Sequence, residues 1–160
     1  MEQAETQPFI SVPDPGAYLP SPTGNRIAIR ADGTQTGGVF TLLETADVAG
    51  AATPPHVHTR EDEAYLILEG RYRFHCAEDI FEGEPGSFVL LPKGRVHHYV
   101  LLSERGRMLI WFFPSGMEGY FREMAHLPPE DRGNPDFVKQ LAARYGFTLL
   151  SGYTPPRQAP

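Results

Sequence analysis

The chain has 160 residues, a formal net charge of −6 and 14 basic residues dispersed without a cluster, which argues against a nucleic-acid partner, since phosphate neutralisation supplies most of that affinity. A single cysteine, Cys76, excludes an intramolecular disulfide, and no apolar stretch approaches the roughly 20 residues of a membrane-spanning helix. The length suits one domain able to bury about two-thirds of its unfolded surface, and a start with neither a basic cluster nor an apolar run predicts a cytoplasmic protein.

In chain order, residues 1–24 contain Pro8, Pro13, Pro15, Pro20 and Pro22 and read as an arm without helix, its first eight residues loose and the rest lying on the body of the protein. Residues 25–114 follow as a β-barrel. Asn25–Arg30 alternates polar and apolar, the segment from Val39 to Val48 is a second strand, and Ala64–Leu68, Arg71–Ala77, Asp79–Glu82, Ser87–Leu91, His97–Ser103 and Arg107–Phe113 continue the pattern, with Gly83–Gly86 as the turn before Ser87. Sixteen glycines and sixteen prolines fall between these short apolar runs. That makes about eight strands with turn signals every 8 to 12 residues or so, the pattern of an all-β sandwich or barrel.

Residues 115–160 change character. Gly119–Leu127 predicts a short helix, and Asn134-Pro135-Asp136 opens a longer one through Tyr145, with an N-cap, a proline in the first turn and an acid beside it. Phe137, Leu141 and Tyr145 form a stripe that needs a partner surface, either as a lid over the barrel or as a brace on its outside. Phe147–Tyr153, followed by Pro155-Pro156, reads as a returning strand or an extended tail.

The chemistry concentrates in two stretches. His56 and His58 stand two apart after Pro54-Pro55, so on extended chain both project to one side and can touch one ion. Thr59–Asp62 is polar enough to turn, and the strand beginning at Ala64 brings back a carboxylate from Glu61, Asp62 or Glu63. The second stretch, Gly86 to His97, runs strand, Pro-Lys-Gly turn and histidine. Three imidazoles and a carboxylate make a divalent-metal site. His75, His98 and His126 have no such partners in the pattern and receive no role. Cys76 reads as a small core residue.

These residues also carry a family resemblance. Gly50, His56, His58, Glu63 and Gly70 sit at every fixed position of the first motif of the cupin superfamily, and Gly86, Pro92, Gly94 and His97 match the second. The chain departs from the second motif at Leu101, where an asparagine is usual; no metal ligand is affected. The resemblance implies a single cupin jelly-roll barrel with a short C-terminal α-helical segment, one divalent transition-metal ion per chain held by His56, His58, Glu63 and His97, and a homodimer. It selects Glu63 over Glu61 and Asp62. Iron, manganese, nickel, cobalt, copper and zinc all suit such a donor set.

The apolar interior and the ending Arg144–Pro156 resemble the small bacterial monocupins related to quercetin dioxygenase. That implies a dioxygenase acting with O2 on a flavonol-like or other aromatic, enolic or polyketide-like molecule, with Glu63 as the catalytic base. The alternatives are a metal-dependent isomerase, cyclase or decarboxylase of an enol, and a non-catalytic small-molecule-binding cupin. Strand alternation puts Tyr65, Ile67, Tyr99 and Leu101 on the side of the ligands, and Phe40, Phe74 and Trp111 are further candidates for the pocket wall.

Overall fold

The structure is a computed structural model that describes residues 6–21 and 25–151. Eleven strands form it: β1 (Leu19–Pro20), β2 (Arg26–Ala31), β3 (Thr41–Val48), β4 (His56–His58), β5 (Asp62–Glu69), β6 (Tyr72–Cys76), β7 (Asp79–Gly83), β8 (Phe88–Leu91), β9 (His97–Leu101), β10 (Arg105–Phe113) and β11 (Phe147–Leu149). They pair antiparallel into a six-stranded sheet, β1-β2-β3-β10-β5-β8, and a five-stranded sheet, β11-β4-β9-β6-β7. This exceeds the eight or so strands read from sequence because β1 and β4 are two or three residues long, too short for alternation to register, and β11 begins the Phe147–Tyr153 segment read as a returning strand or an extended tail.

Period-two burial builds the interior. Thr41, Leu43, Thr45 and Asp47 of β3, Met108, Ile110 and Phe112 of β10, and Tyr65 and Ile67 of β5 face inward from one sheet. Tyr72, Phe74 and Cys76 of β6 and His97, Tyr99 and Leu101 of β9 meet them from the other. Tyr65, Tyr72, Phe74 and Tyr99 form a connected aromatic cluster with ring centroids 5.2–6.3 Å apart. Cys76 is a buried free thiol in this wall, as its isolation in the sequence suggests. Each large apolar side chain so buried contributes about 1.5–3 kcal/mol.

Phe9, Ser11 and Pro13 of the arm lie on the outside of the six-stranded sheet, whereas Pro15–Ala17 make a 3₁₀ turn, a departure from the helix-free arm expected, and Leu19–Pro20 join the sheet's edge as β1. Arg30 donates from Nε to Ser11 Oγ at 3.0 Å and from Nη2 to the Ser11 carbonyl at 2.6 Å. Beneath, Glu44 is 4% exposed and pairs with Arg30 at 2.7 Å and Arg107 at 3.1 Å. The first five residues and Pro22–Gly24 of the expected arm lie outside the described residues, as does the chain beyond Ser151, including the expected Pro155-Pro156 tail.

The helical segment closes over one end of the interior. It comprises α1 (Met117–His126), α2 (Pro129–Arg132) and α3 (Pro135–Arg144). Asn134 caps α3 as its sequence predicts, accepting from the N–H groups of Asp136 and Phe137. The carboxylate of Glu118 accepts from Gly33 N at 2.9 Å and Gly116 N at 2.8 Å, and from Thr41 Oγ1, fastening the start of α1 to the loop after β2 and to β3. Arg122 reaches Asp32 at 2.6 Å and, with Thr34, lowers that carboxyl to about 2. Arg60 and Thr59, just past β4, donate to the carbonyls of Tyr145 and Gly146 at 2.9 and 2.8 Å. No described helix is long and apolar enough to cross a membrane.

Gly70 and Gly86 both adopt positive φ, +83° and +93°, but a Cβ at Gly70 would collide with the Arg105 carbonyl, whereas at Gly86 it would meet nothing within 4 Å. Urea unfolding is expected to show Gly70→Ala losing more stability than Gly86→Ala, which carries only the left-handed conformational cost of about 1–2 kcal/mol.

Candidate metal centre

The candidate ligands come from both sheets. His56 and His58 occupy β4 and His97 opens β9 in the five-stranded sheet, while Glu63 projects from β5 in the six-stranded one. The histidine strands are in register: His56 pairs with His97 across β4 and β9. All four residues are buried, between 1% and 8% exposed, and one donor atom from each lies within 4.8 Å of every other.

The imidazoles share one orientation. His56 Nδ1 donates to the Pro54 carbonyl at 2.8 Å, His97 Nδ1 to the Arg95 carbonyl at 2.9 Å, and His58 Nδ1 to Glu61 Oε2 at 3.3 Å. Each outward bond occupies Nδ1, so the three Nε2 atoms face Glu63 Oε2 at 3.8, 3.5 and 2.8 Å for His56, His58 and His97. Donor atoms about 2.1 Å from a shared ion stand about 3–3.5 Å apart, so the cluster needs small movements to close on one. The mixed N3O set fits manganese through zinc.

Charge follows the same convergence. Burial by itself would raise the pKa of Glu63, but hydrogen bonds from His56 and His97 and the nearby imidazoles overcome it and hold the carboxyl well below its ordinary range. Burial pulls His97 down, the Glu63 carboxylate outweighs it, and the net shift is upward. Burial dominates at His56, whose pKa falls.

Three members of the cluster, His56, His58 and Glu63, form part of the wall of a cavity of about 120 Å³. The rest of the wall is largely apolar: Ile27, Leu43, Ile110 and Phe112 come from the barrel, Met117, Tyr120, Phe121 and Val138 from the helices, and Phe147 and Leu149 from β11. Thus α1 and α3 wall the cavity, which combines the lid and brace readings. Strand β11 pairs with β4, setting Phe147 opposite His58 and Leu149 opposite His56. The Phe147 ring stacks on His58 at 5.1 Å and meets His56 edge-on at 6.0 Å.

Of the seven residues expected around the pocket, the structure brings Tyr99 to the cavity wall. Tyr65, Ile67, Phe74 and Leu101 point inward, at 0–5% exposure, but are consumed in packing between the sheets. Phe40 and Trp111 face the other way. Phe40 lines a concavity on the outside of the six-stranded sheet with Phe9 and Leu42, and Trp111 is the cross-strand partner of Leu42. Among the acids, Glu61 is 1% exposed and holds His58, while Asp62 accepts from the Lys93 N–H at 2.9 Å. His75 and His98 stack at 4.3 Å as cross-strand partners beside the ligand strands, and His126 bonds the Arg122 carbonyl on α1.

Sequence reasoning did not find Phe147, Met117, Tyr120, Phe121, Val138 or Asn25 as wall residues. The stripe on α3 was a usable signal for Val138, because an apolar helix face must cover something. Nothing local marks Asn25.

Comparison with known proteins relates part of this chain to a known family. Residues 43–113 match the family model described as Cupin domain. Quercetin 2,3-dioxygenase of Bacillus subtilis (strain 168) is 29% identical over 125 residues, which cover 78% of this chain and 37% of that protein, so the chain spans little more than a third of its relative's length. The structure of KdgF from Halomonas sp. superposes with a TM-score of 0.64 at 17% identity, covering 71% of this chain and 99% of that one. An RmlC-like cupin from Shewanella frigidimarina NCIMB 400 gives 0.54 at 18% identity, covering 74% and 99%. At these identities the two solved structures speak to the fold.

Two outcomes follow from the geometry. Glu61→Ala frees the His58 ring and is expected to weaken metal binding about 10- to 100-fold in chelator competition; unchanged affinity would show that Glu61 does not orient the ligand. Because His97 must lose its Nε2 proton to bind metal and the Glu63 carboxylate raises its pKa, apparent affinity should still be climbing with pH past the ordinary imidazole range before it levels off.

Proposed function

This chain carries a cupin domain and folds as a cupin, and we propose that it is a metal-dependent oxygenase acting on a small enolic or phenolic substrate. The observation that carries this reading is the convergence of three imidazole Nε2 atoms on one carboxylate oxygen in the wall of a largely apolar cavity. His56, His58, Glu63 and His97 are the residues that would hold one divalent transition-metal ion. Such an ion supplies Lewis acidity, lowering the pKa of a substrate enol or phenol and orienting its oxygen.

The protein's own residues supply the rest. Glu63, kept ionised by its imidazole neighbours, is the acid-base group within reach and takes the substrate's hydroxyl proton. Tyr65 stays protonated beside it, since burial and the Glu63 charge push its pKa well above the ordinary phenol range. Met117, Tyr120, Phe121 and Phe147 exclude water from the reacting face. Entry of both atoms of O2 into the substrate cleaves a carbon–carbon bond without an external reductant. The Bacillus subtilis relative named quercetin 2,3-dioxygenase supports this oxidative reading.

Size refines the substrate. An engineered cavity of about 150 Å³ admits benzene, so a cavity of about 120 Å³ suits a single ring or a short enol better than a three-ring flavonol. The same observation favours a second reading, non-oxidative isomerisation, cyclisation or decarboxylation of a small enol, in which the cluster stabilises an enolate without O2. In either case we read the chain as one unit with an arm over 1–24, a barrel over 25–114 and a helical extension over 115–160. The cupin resemblance further supports a homodimer.

Elemental analysis of the purified protein should find about one transition-metal ion per chain, lost in His58→Ala and Glu63→Ala. Oxygen uptake should depend on substrate and be faster with one-ring enols and catechols than with quercetin. Metal without uptake would move the assignment to non-oxidative enol chemistry, and a metal-free protein after reconstitution would sink both readings.

A further inference from the structure

One part of the cavity wall is polar and takes no part in the metal cluster. Asn25, immediately before β2, is 2% exposed and lines the cavity beside Thr45 of β3 and Tyr99 of β9. Its Nδ2 donates to the Tyr99 hydroxyl at 3.1 Å. Its Oδ1 is buried and has no hydrogen-bond partner among the described residues. Buried amide oxygens are satisfied in the great majority of cases, so a vacant one on a cavity wall is an acceptor open to a bound molecule.

The hydroxyls of Thr45 and Thr53 on the same wall are already engaged. The Thr45 hydroxyl donates to Asp47 Oδ2 at 3.1 Å and accepts from the Met108 N–H at 3.2 Å. Tyr72 donates to the same Asp47 oxygen at 2.6 Å, closing the layer behind. Thr53 Oγ1 accepts from the Tyr99 N–H at 3.1 Å. Position adds a length: Tyr99 follows His97 by two residues on the same face of β9, about 7 Å along the strand. A six-membered ring carrying oxygen on opposite substituents fits within that length.

We propose that Asn25, with Tyr99 beside it, forms a specificity subsite that accepts a hydrogen bond from a hydroxyl or N–H group carried by the substrate across from its metal-facing oxygen. The proposal rests on the metal-dependent reading above and narrows its substrate class to compact enols or phenols with a second, distal donor. Apolar walls between the two ends hold the ring, and the Asn25 amide reads the far substituent. A substrate lacking that donor leaves Oδ1 dry and binds more weakly.

The test uses the full chain loaded with zinc, which is redox-inert, and two one-ring probes with the same enolic hydroxypyranone head. Kojic acid carries a hydroxymethyl group across the ring from its enol, and allomaltol carries a methyl group there. Calorimetric titration of the wild-type protein is expected to show kojic acid bound about 5- to 10-fold more tightly, the effect of one neutral hydrogen bond. In Asn25→Ala the ratio should fall to about one with allomaltol affinity retained, and His58→Ala should lose both probes. Equal wild-type affinities would overturn the subsite while leaving the metal-site reading intact, and so would a preference that survives in Asn25→Ala. Binding of neither probe to the zinc-loaded wild type would overturn the metal-site reading and the subsite together. The wild-type comparison stands even if a variant fails to fold.

Discussion

A carboxylate buried between two sheets sets the terms for the rest of this molecule. Removing an unpaired charge from water costs several kcal/mol, and Glu63 is 4% exposed on the inner face of the six-stranded sheet. Three imidazoles from the opposite sheet offset that cost, and they can do so only if all of them present Nε2. Carbonyls of Pro54 and Arg95 and the carboxylate of Glu61 arrange this by occupying the outer nitrogens. The electrostatic need of one side chain therefore dictates ring orientation, the register of β4 against β9 and the distance between the sheets at this end of the barrel.

The helical extension answers a different need. A barrel filled with side chains is closed by its own core, and the Tyr65, Tyr72, Phe74 and Tyr99 cluster plugs part of this one. Space for a ligand persists at the other end because α1, α3 and β11 cover it. Anchors at Glu118, Arg122 and Arg60 tie this cover to loops and strands of the barrel, including the turn that follows the two histidines. The wall of the cavity and the support of the metal ligands are thus one continuous structure, with Phe147 belonging to both.

The chemistry of the cavity follows from its two unlike regions. One concentrates nitrogen and oxygen donors that suit a metal ion and a deprotonated oxygen. The other offers a neutral amide and a phenol. Between them lies apolar surface, so a ligand is oriented by its ends and held by its middle. On the proposed reading, such a division separates proton transfer, centred on Glu63, from recognition, centred on Asn25, and lets specificity change without disturbing the candidate ligand set.

Much of the site was legible in the sequence, because alternation is a local rule. His56 and His58 share a face, as do His97, Tyr99 and Leu101, and the cupin motif spacings singled out Glu63 among three neighbouring acids. The helix opened by Asn134 was legible for the same reason, since a cap and a proline act within one turn. Parity alone could not say which face was which for Phe40 and Trp111. That depended on Phe112 standing opposite Glu63 in the register of β10 and β5, which sends Trp111 to the other side. Nor could facing inward reveal whether a residue meets a ligand or another side chain, as Tyr65, Ile67, Phe74 and Leu101 demonstrate. Asn25 and Phe147 join the site through contacts 74 and 89 residues away along the chain, with Tyr99 and His58 respectively. By itself the sequence determined the donor set and the alternating faces, which follow from spacing along a strand. Tertiary structure decided the cavity, its lid and its polar end, because these arise from surfaces that meet only after the sheets have packed.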